Sequence, residues 1–411
     1  MSNNNRILYS CQVPSINKCG AGKDSTNNAN HYAQGMVHGV QSIGITTNFN
    51  LEQAFELGQI EIYENIEGTP DVEVTMEKVI DGYPLMYLMA STGVTGTDAS
   101  GLLARSKEQC DVSLGIFGEE FDNVAEATPN GGDAEAQVYM SGMYISSISY
   151  SFPVDGNCTE SITLVGNNKE WLTSTDVKMS GEAVDSFDGL DAPLGFGVSG
   201  APSGGIQRRE DILLEYSFLP AAIQGVNGSG MGNAYKPTTP PTTAGSTGFT
   251  ASGLGVHIQS VSISTDFSRE DIFELGRKTP FYRPASFPVE VSCEIEAVTA
   301  SGDFITALEA GNPDLYILPA SGNNTGEENI FFCLRAGMTF DLGNKNRLSS
   351  VSYGGADATG GNASCTYSYT NFNSLDVKQL GHNYPSIMGF LEGGPDGPTG
   401  SLTGLFGEDP A

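Results

Sequence analysis

A mainly β chain of two homologous domains in tandem, with few and short helices, is what the sequence predicts, and three observations carry that expectation. An internal repeat lays Gln41 to Gly58 (QSIGITTNFNLEQAFELG) over Gln259 to Gly276 (QSVSISTDFSREDIFELG) without a gap, with 10 of 18 positions identical. Segments of strict two-residue period flank the repeat in both copies. Gly, Asn and Asp turns such as Asp155-Gly156-Asn157 punctuate the rest, where helices would show caps and a longer period.

The first repeated strand alternates cleanly. Gln259, Val261, Ile263, Thr265 and Phe267 fall on one face and Ser260, Ser262, Ser264 and Asp266 on the other, as a half-buried strand requires. In the first copy Ile43, Ile45, Thr47 and Phe49 take the inner positions, and their β-branched content favours extended backbone. The return strand is sharper: Val289, Val291, Cys293, Ile295 and Ala297 point one way, Glu290, Ser292, Glu294 and Glu296 the other. Its first-copy counterpart alternates Val72, Val74 and Met76 with Glu73, Thr75 and Glu77. Solvation alone asks for polar residues there and is indifferent to their sign. A negative sign that recurs in both copies points to a use for it.

A second correspondence matches Ser146 to Tyr150 (SSISY) with Ser349 to Tyr353 (SSVSY), each followed by a turn and a Cys-Thr pair, at Cys158 and Cys365. Order is kept while spacing differs. Two copies of one fold with unequal loops explain this better than a solenoid, which needs three repeats or more to bury its faces. Further strands are predicted at Tyr144 to Phe152, Glu160 to Val165 and Leu348 to Tyr353. Glu210 to Leu219 (EDILLEYSFL) suits a strand or a short helix equally. Single helical turns are expected at Glu52 to Leu57 and Glu270 to Leu275, and a helix start at Asp303 to Glu309.

The resulting division is an N-terminal arm over 1–38, a first domain over 39–226, a Gly/Pro/Thr-rich linker over 227–255 with Lys236 as its one charge, and a second domain over 256–411. The length, 411 residues, suits that count at about 100 to 200 residues per domain.

Composition excludes several function classes. Charged residues are 17% and hydrophobic ones 39%, which describes a folded chain rather than a disordered polyelectrolyte. Lys plus Arg number 19 against 49 Asp plus Glu, a net charge of -30, so tight binding to nucleic acid or an anionic membrane is disfavoured. No 18-residue apolar run occurs and no hydrophobic run of signal-peptide type follows Met1, so folding in a cytoplasm is expected. Seven cysteines without a Cys-x-x-Cys spacing fit a mostly reduced chain, with Cys11 and Cys19 spaced for one small disulfide loop. His31, His38, His257 and His382 are too scattered for a metal motif, and no cofactor is expected.

Enzyme readings find little to hold. Gly20 to Ser25 (GAGKDS) misses the phosphate-loop frame, and Asp185, Asp188 and Asp191 miss the calcium-loop spacing. Sequons at Asn157, Asn227, Asn323 and Asn362 accompany no secretory segment. The chain is expected not to be an enzyme.

Ser264 to Arg283 (STDFSREDIFELGRKTPFYR) with Phe287 to Ile295 (FPVEVSCEI) resembles the major tail tube proteins of tailed bacteriophages, as do Tyr150 to Trp171 and Arg208 to Leu219. The resemblance covers roughly half of the chain. It implies tandem β-sandwich or half-barrel domains, six of which close a ring with their large sheets around a channel, rings stacking into the tube that conducts DNA. A duplicated chain then implies trimeric, pseudo-hexameric rings. The expected partners are further copies of itself, tape-measure and tail-completion proteins, and transiently passing duplex DNA, with no membrane binding. The expected place is a virion tail assembled in the host cytoplasm. Other virion parts, such as a tail terminator, tail tip or head decoration, stand as alternatives, and a secreted acidic adhesin or surface-array protein behind them.

Under this resemblance Glu73, Glu77, Glu290, Glu294 and Glu296 are expected to line the channel. Arg269, Arg277, Lys278, Phe281, Tyr282 and Arg283 form a cationic, aromatic loop, Arg269 to Ser286, expected to contact the adjacent ring or subunit. The first copy departs here: Leu51 and Gln59 stand where the second has Arg269 and Arg277, so a different partner surface is expected for its loop.

Overall fold

The computed structural model describes residues 7–18, 37–58, 60–92, 101–118, 134–173, 177, 205–213, 220, 256–299, 329–334, 336, 338–355 and 361–379. The linker, Cys19 and the expected helix start at Asp303 lie outside them. Among the described residues the architecture is predominantly β-sheet with two short helices. The chain divides into two compact units, Met1–Ser149 with Thr159–Ala201 and Asp266–Val289, and Tyr150–Cys158 with Pro202–Thr265 and Glu290–Ala411. The division does not follow the linear order: the loop joining the two repeated strands of the second copy groups with unit 1.

Unit 1 holds β1 (Gln12–Lys18), β2 (Val40–Asn48), β3 (Leu51–Phe55), β4 (Ile62–Glu67), β5 (Asp71–Val79), α1 (Met86–Thr92), α2 (Gly101–Arg105), β6 (Cys110–Ile116), β7 (Ala136–Pro153, to Ser149 in this unit), β8 (Thr159–Gly166) and β9 (Glu170–Thr173). One sheet runs in the order β7-β8-β5-β2; the first half of β7 also pairs with β6 and β9, and β6 with β1. β7 carries a positive-φ glycine, Gly142 (φ +66), beside a register shift in its β6 partner between Cys110 and Val112. Residues 7–18 are therefore no detached arm: Val13 and Ile16 are buried, and β1 pairs with β6 along its whole length.

The apolar face of β5 (Val72, Val74, Met76) and that of β8 (Ile162, Leu164) are fully buried, as the two-residue period requires. α1 packs near β1, β6 and β8. Its first turn has no acidic residue of its own. The distant Glu160 supplies the cap, its carboxylate accepting from the Met86 and Tyr87 amides at 2.6 and 3.0 Å.

Unit 2 holds β10 (Ile212–Leu213), β11 (Val256–Asp266), β12 (Glu290–Thr299), β13 (Phe331–Leu334), β14 (Met338–Asp341), β15 (Arg347–Gly354), β16 (Ser364–Phe372) and β17 (Asp376–Gln379). Its larger sheet runs β15-β16-β12-β11 and its smaller one β10-β13-β14-β17. The segment that suited strand or helix starts as a 3-10 turn, Arg209–Asp211, and continues as β10. An aromatic cluster fills the core: Phe332 stacks on Phe340 at 5.2 Å between centroids, and Phe152 meets Phe332 edge-on at 4.9 Å.

Strand order repeats between the units. Taking β2 with β11, β5 with β12, β8 with β16 and β7 with β15, each unit carries the same four antiparallel strands in the same sequence. The irregularities repeat as well. The ladder slips between Val40 and Ser42 in one copy and between Ile258 and Ser260 in the other. Asn48 Oδ1 accepts from the Asn50 amide and Asp266 Oδ1 from the Ser268 amide, and both donating residues have positive φ. Gly58 (φ +97) and Gly276 (φ +88) turn the shared Phe-Glu-Leu-Gly ending, where a side chain meets no neighbour but the backbone lies in the region L residues avoid.

Three expectations fail here. Glu52 to Leu57 makes no helical turn, because Leu51–Phe55 is paired with Ile62–Glu67 as a two-stranded ribbon. Glu270 to Leu275 is likewise extended, closed by bridges from Arg269 to Ala285 and Ile272 to Tyr282. Phe49 does not point inward: it is 62% exposed, whereas Phe267 is buried as expected.

Candidate functional site: two acidic sheet faces and two loops

The outward face of each larger sheet is built almost entirely of carboxylates and small hydroxyls. In unit 2, Glu296 lies between Ser260 on β11 and Thr366 on β16, and Glu294 between Ser262 and Ser368. Ser292 lies between Ser264 and Thr370, and Glu290 opposite Phe372. In unit 1, Glu77 lies between Ser42 on β2 and Ser161 on β8, Thr75 between Gly44 and Thr163, and Glu73 between Thr46 and Val165. All five sequence-predicted glutamates are exposed, while their sequence neighbours Val74, Met76, Val291, Cys293 and Ile295 are buried.

No Lys or Arg stands directly across the ladder from any of the five. A carboxylate paired across a strand with serine or threonine gains a weak donor and keeps its full charge. Ser260 Oγ, for example, donates to Glu296 Oε2 at 3.3 Å. Register also refines the correspondence between copies: Glu77 matches Glu296, and Thr75 matches Glu294, because each pair faces the same partner position after the same slip.

The two loops differ. In the first copy every residue of β4 is exposed, and so are Leu51, Phe55, Leu57, Ile60, Ile62, Tyr63 and Ile66, seven large apolar side chains in water. The ribbon also carries Glu52, Glu56, Glu61, Glu64 and Glu67 and no cation. Monomeric soluble proteins rarely leave a contiguous apolar surface of that density in water.

The second copy's loop splits into an anchored base and a free tip. Arg269 Nε donates to the Ile145 carbonyl at 2.8 Å, and its Nη1 to the Ser106 and Arg283 carbonyls at 2.6 and 3.0 Å. Its guanidinium lies 5.1 Å from the Tyr144 ring centre and 5.4 Å from that of Phe267. Burial lowers its pKa to about 10, against the opposing pull of Tyr144 and Tyr282, so the cation persists at neutral pH. Arg283, 7% exposed, donates from Nη2 to Asp71 at 2.8 Å and to Asp271 at 3.0 Å. Tyr282 meets Tyr144 edge-on at 6.1 Å, and the Thr69 hydroxyl donates to the Lys278 carbonyl.

Of the six predicted contact residues, then, Arg269, Tyr282 and Arg283 are held inside unit 1. Arg277, Lys278 and Phe281 stay exposed. Arg277 makes only a loose 3.8 Å pair with Glu274 and lies over Phe281 at 5.5 Å. The sequence assigned no contact role to Ile272, Phe273 and Leu275, which are also exposed, although Phe273 and Leu275 belong to the Phe-Glu-Leu-Gly motif shared with the first copy. Among the described residues no group of three or more His, Cys, Asp or Glu side chains is placed to hold a metal ion.

No family model matches the chain. No curated protein matches it either. Solved structures of contractile injection particles are similar at low identity and over part of the chain. The tube-terminating cap of the anti-feeding prophage matches with TM-score 0.28 and 12% identity over 42% of this chain and 100% of its own. The sheath-tube complex of an extracellular contractile injection system, in its extended state, matches with TM-score 0.28 and 9% identity over 42% of this chain and 95% of its own. The baseplate of the anti-feeding prophage gives 0.27 and 9%, over 41% and 97%.

Proposed function

We propose that this chain is a non-enzymatic structural subunit of a tail or injection tube, contributing two tube domains to a ring whose channel wall is the pair of acidic, hydroxyl-rich sheet faces. The observation that carries the reading is that Glu73, Glu77, Glu290, Glu294 and Glu296 stand exposed and without a cation opposite them on sheets of identical strand order. Shared bulges, Asx turns and glycine turns support descent of the two units from one duplicated domain, and three such chains would then make a pseudo-hexameric ring.

The dimensions suit the cargo. Six four-stranded sheets, with strands about 4.8 Å apart and tilted about 45°, close at a backbone radius of roughly 26 Å. Side chains of about 6 Å leave a lumen near 40 Å, and duplex DNA is roughly 20 Å wide. DNA presents about one negative charge per 1.7 Å of axis. A carboxylate wall repels it from all sides and screening confines that repulsion to about 8 Å, so the polymer is held off the wall without being read. The exposed ribbon β3-β4 and the tip Arg277, Lys278 and Phe281 are in this reading the surfaces that meet the adjacent ring, with tape-measure and tail-completion proteins as partners at the tube ends.

Negative-stain microscopy of the purified chain, with rotational averaging, tests the reading. Rings or tubes with a stain-filled channel and threefold or pseudo-sixfold symmetry are expected. A chain that stays monomeric at every concentration and salt condition would refute it.

A further inference from the structure

We propose that Asp341 and Asp376 form a proton-operated clasp between β14 and β17: Asp341 carries a proton and donates it to Asp376, which fastens the outer strand of unit 2's smaller sheet in acid and loosens it as pH rises. β17 ends that sheet's strand order, so β14 alone holds it among the described strands. The ladder sets Asp341 directly opposite Asp376, and Thr339 opposite Lys378. Directly opposed side chains share a face with Cβ atoms about 4.5 to 5.5 Å apart, and two like charges there work against the pairing.

Each carboxyl has one oxygen engaged. Asp341 Oδ1 accepts from the Gly343 amide at 2.7 Å, and Asp376 Oδ2 lies 2.9 Å from the Lys378 ammonium. Asp376 Oδ1 is buried without a hydrogen-bond partner. An ionised carboxylate can only accept, and an acceptor taken out of water without a donor is costly. The second oxygen of Asp341 becomes that donor on taking up one proton. The charges around the pair leave room for it. Lys378 is the cation on β17 and offsets one of the two carboxylates. β13 presents Phe331 opposite Asp341 and carries no charge. Lys345 and Arg347, on the turn after Asp341, are exposed. Among the described residues no third His, Cys, Asp or Glu joins the pair to complete a metal-ligand set, and a single proton is enough to relieve it.

The sign follows from the same surroundings. Burial raises the Asp341 carboxyl above its ordinary 3.8, and Asp376 adds to the rise, against the Gly343 amide and Lys378. With β17 open, Asp341 titrates near its ordinary value; with β17 closed, it titrates higher. The clasp is therefore complete below pH 3.8 and is lost as pH rises through the higher value of the closed strand.

Hydrogen exchange of the full-length chain, read by mass spectrometry on peptides covering β14 and β17 and corrected for the intrinsic pH dependence of exchange, tests the clasp, with β13 as the internal reference for folding. In the wild type, opening of β17 should increase from pH 3.8 toward neutrality, about tenfold for each pH unit by which closure displaces Asp341. Asp341→Asn keeps the oxygen that Gly343 needs and donates permanently from its amide, so its β17 should stay as protected at neutral pH as in acid. Asp341→Ala has no donor and should be equally open throughout. If Asp341→Asn loses the protection of β13, Asp376→Asn takes its place: its amide donates to an ionised Asp341, and the wild-type slope should vanish there too. A wild-type β17 with no slope, or a slope that survives in the folded asparagine variant, would overturn the proposal.

Discussion

Two cations that look alike in the sequence do different work. Arg283 reaches Asp71, 212 positions away, and sits 7% exposed between two carboxylates, whereas Arg277 has a loose exposed pair that contributes little. Arg283→Ala is expected to destabilise unit 1 by about 1 to 3 kcal/mol in chemical denaturation, because it removes a buried guanidinium that bridges Asp271 and Asp71, of which Asp71 alone keeps other donors, Asn50 and Asn167. Arg277→Glu should leave stability unchanged and show only in assembly. A second residue gives a pH handle. His38 stacks on Tyr83 at 3.8 Å, and burial, helped by Lys78 and opposed by Asp81, lowers its pKa from 6.5 to about 4. The unfolded chain therefore takes up a proton below pH 6.5 that the folded one refuses until about pH 4. Stability from this site is full above pH 6.5 and is lost as pH falls toward 4, by about 3 kcal/mol at most. His38→Phe keeps the stack and cannot titrate, so its stability should fall less steeply across that window; parallel curves for the two proteins would show that His38 is not the group responsible.

At the scale of elements, the strands of the two repeated sheets other than β16 were legible, and β1, β6, β9, β13, β14, β16, β17 and the loops were not. Val291, Cys293 and Ile295 against Glu290, Glu294 and Glu296 is a pattern the backbone enforces locally, and burial follows it position by position. Phe49 and Phe267 are identical in type and context, yet one is exposed and one buried, because burial at an edge depends on what lies beside the strand rather than on the strand itself. α1 escaped notice for a related reason: its cap, Glu160, comes from β8 and leaves no mark near Met86. The loops carry their own test. Leu57 and Leu275 are fully exposed at the same turn of both copies, with nothing among the described residues to pack on. Leu57→Asp or Leu275→Asp is expected to leave folding within about 0.5 kcal/mol of wild type. Each should shorten or abolish tubes in electron micrographs, and tubes of normal length would take that turn out of the assembly contact.

For the whole molecule, the net charge of -30 would be a liability unless the charge has somewhere useful to face. Folding places part of it on two sheet faces rich in serine and threonine, groups too short to neutralise a carboxylate or to grip a phosphate with positive charge. If these faces line the proposed channel, such a wall would slow a passing duplex only once its repulsion was lost. Glu290→Gln with Glu294→Gln removes two of those charges per chain from exposed positions, so the fold and the tube should survive. DNA release from particles carrying the variant should slow or stall at physiological salt, as followed by dye uptake during triggered ejection. Raising the ionic strength toward 1 M, where the screening length is about 3 Å, should bring wild type and variant together, since both walls then act at contact range alone. Identical release at physiological salt would mean that the carboxylates on β12 do not keep DNA off the wall. A difference that persists undiminished at high salt would place the effect in shape or hydration instead of charge.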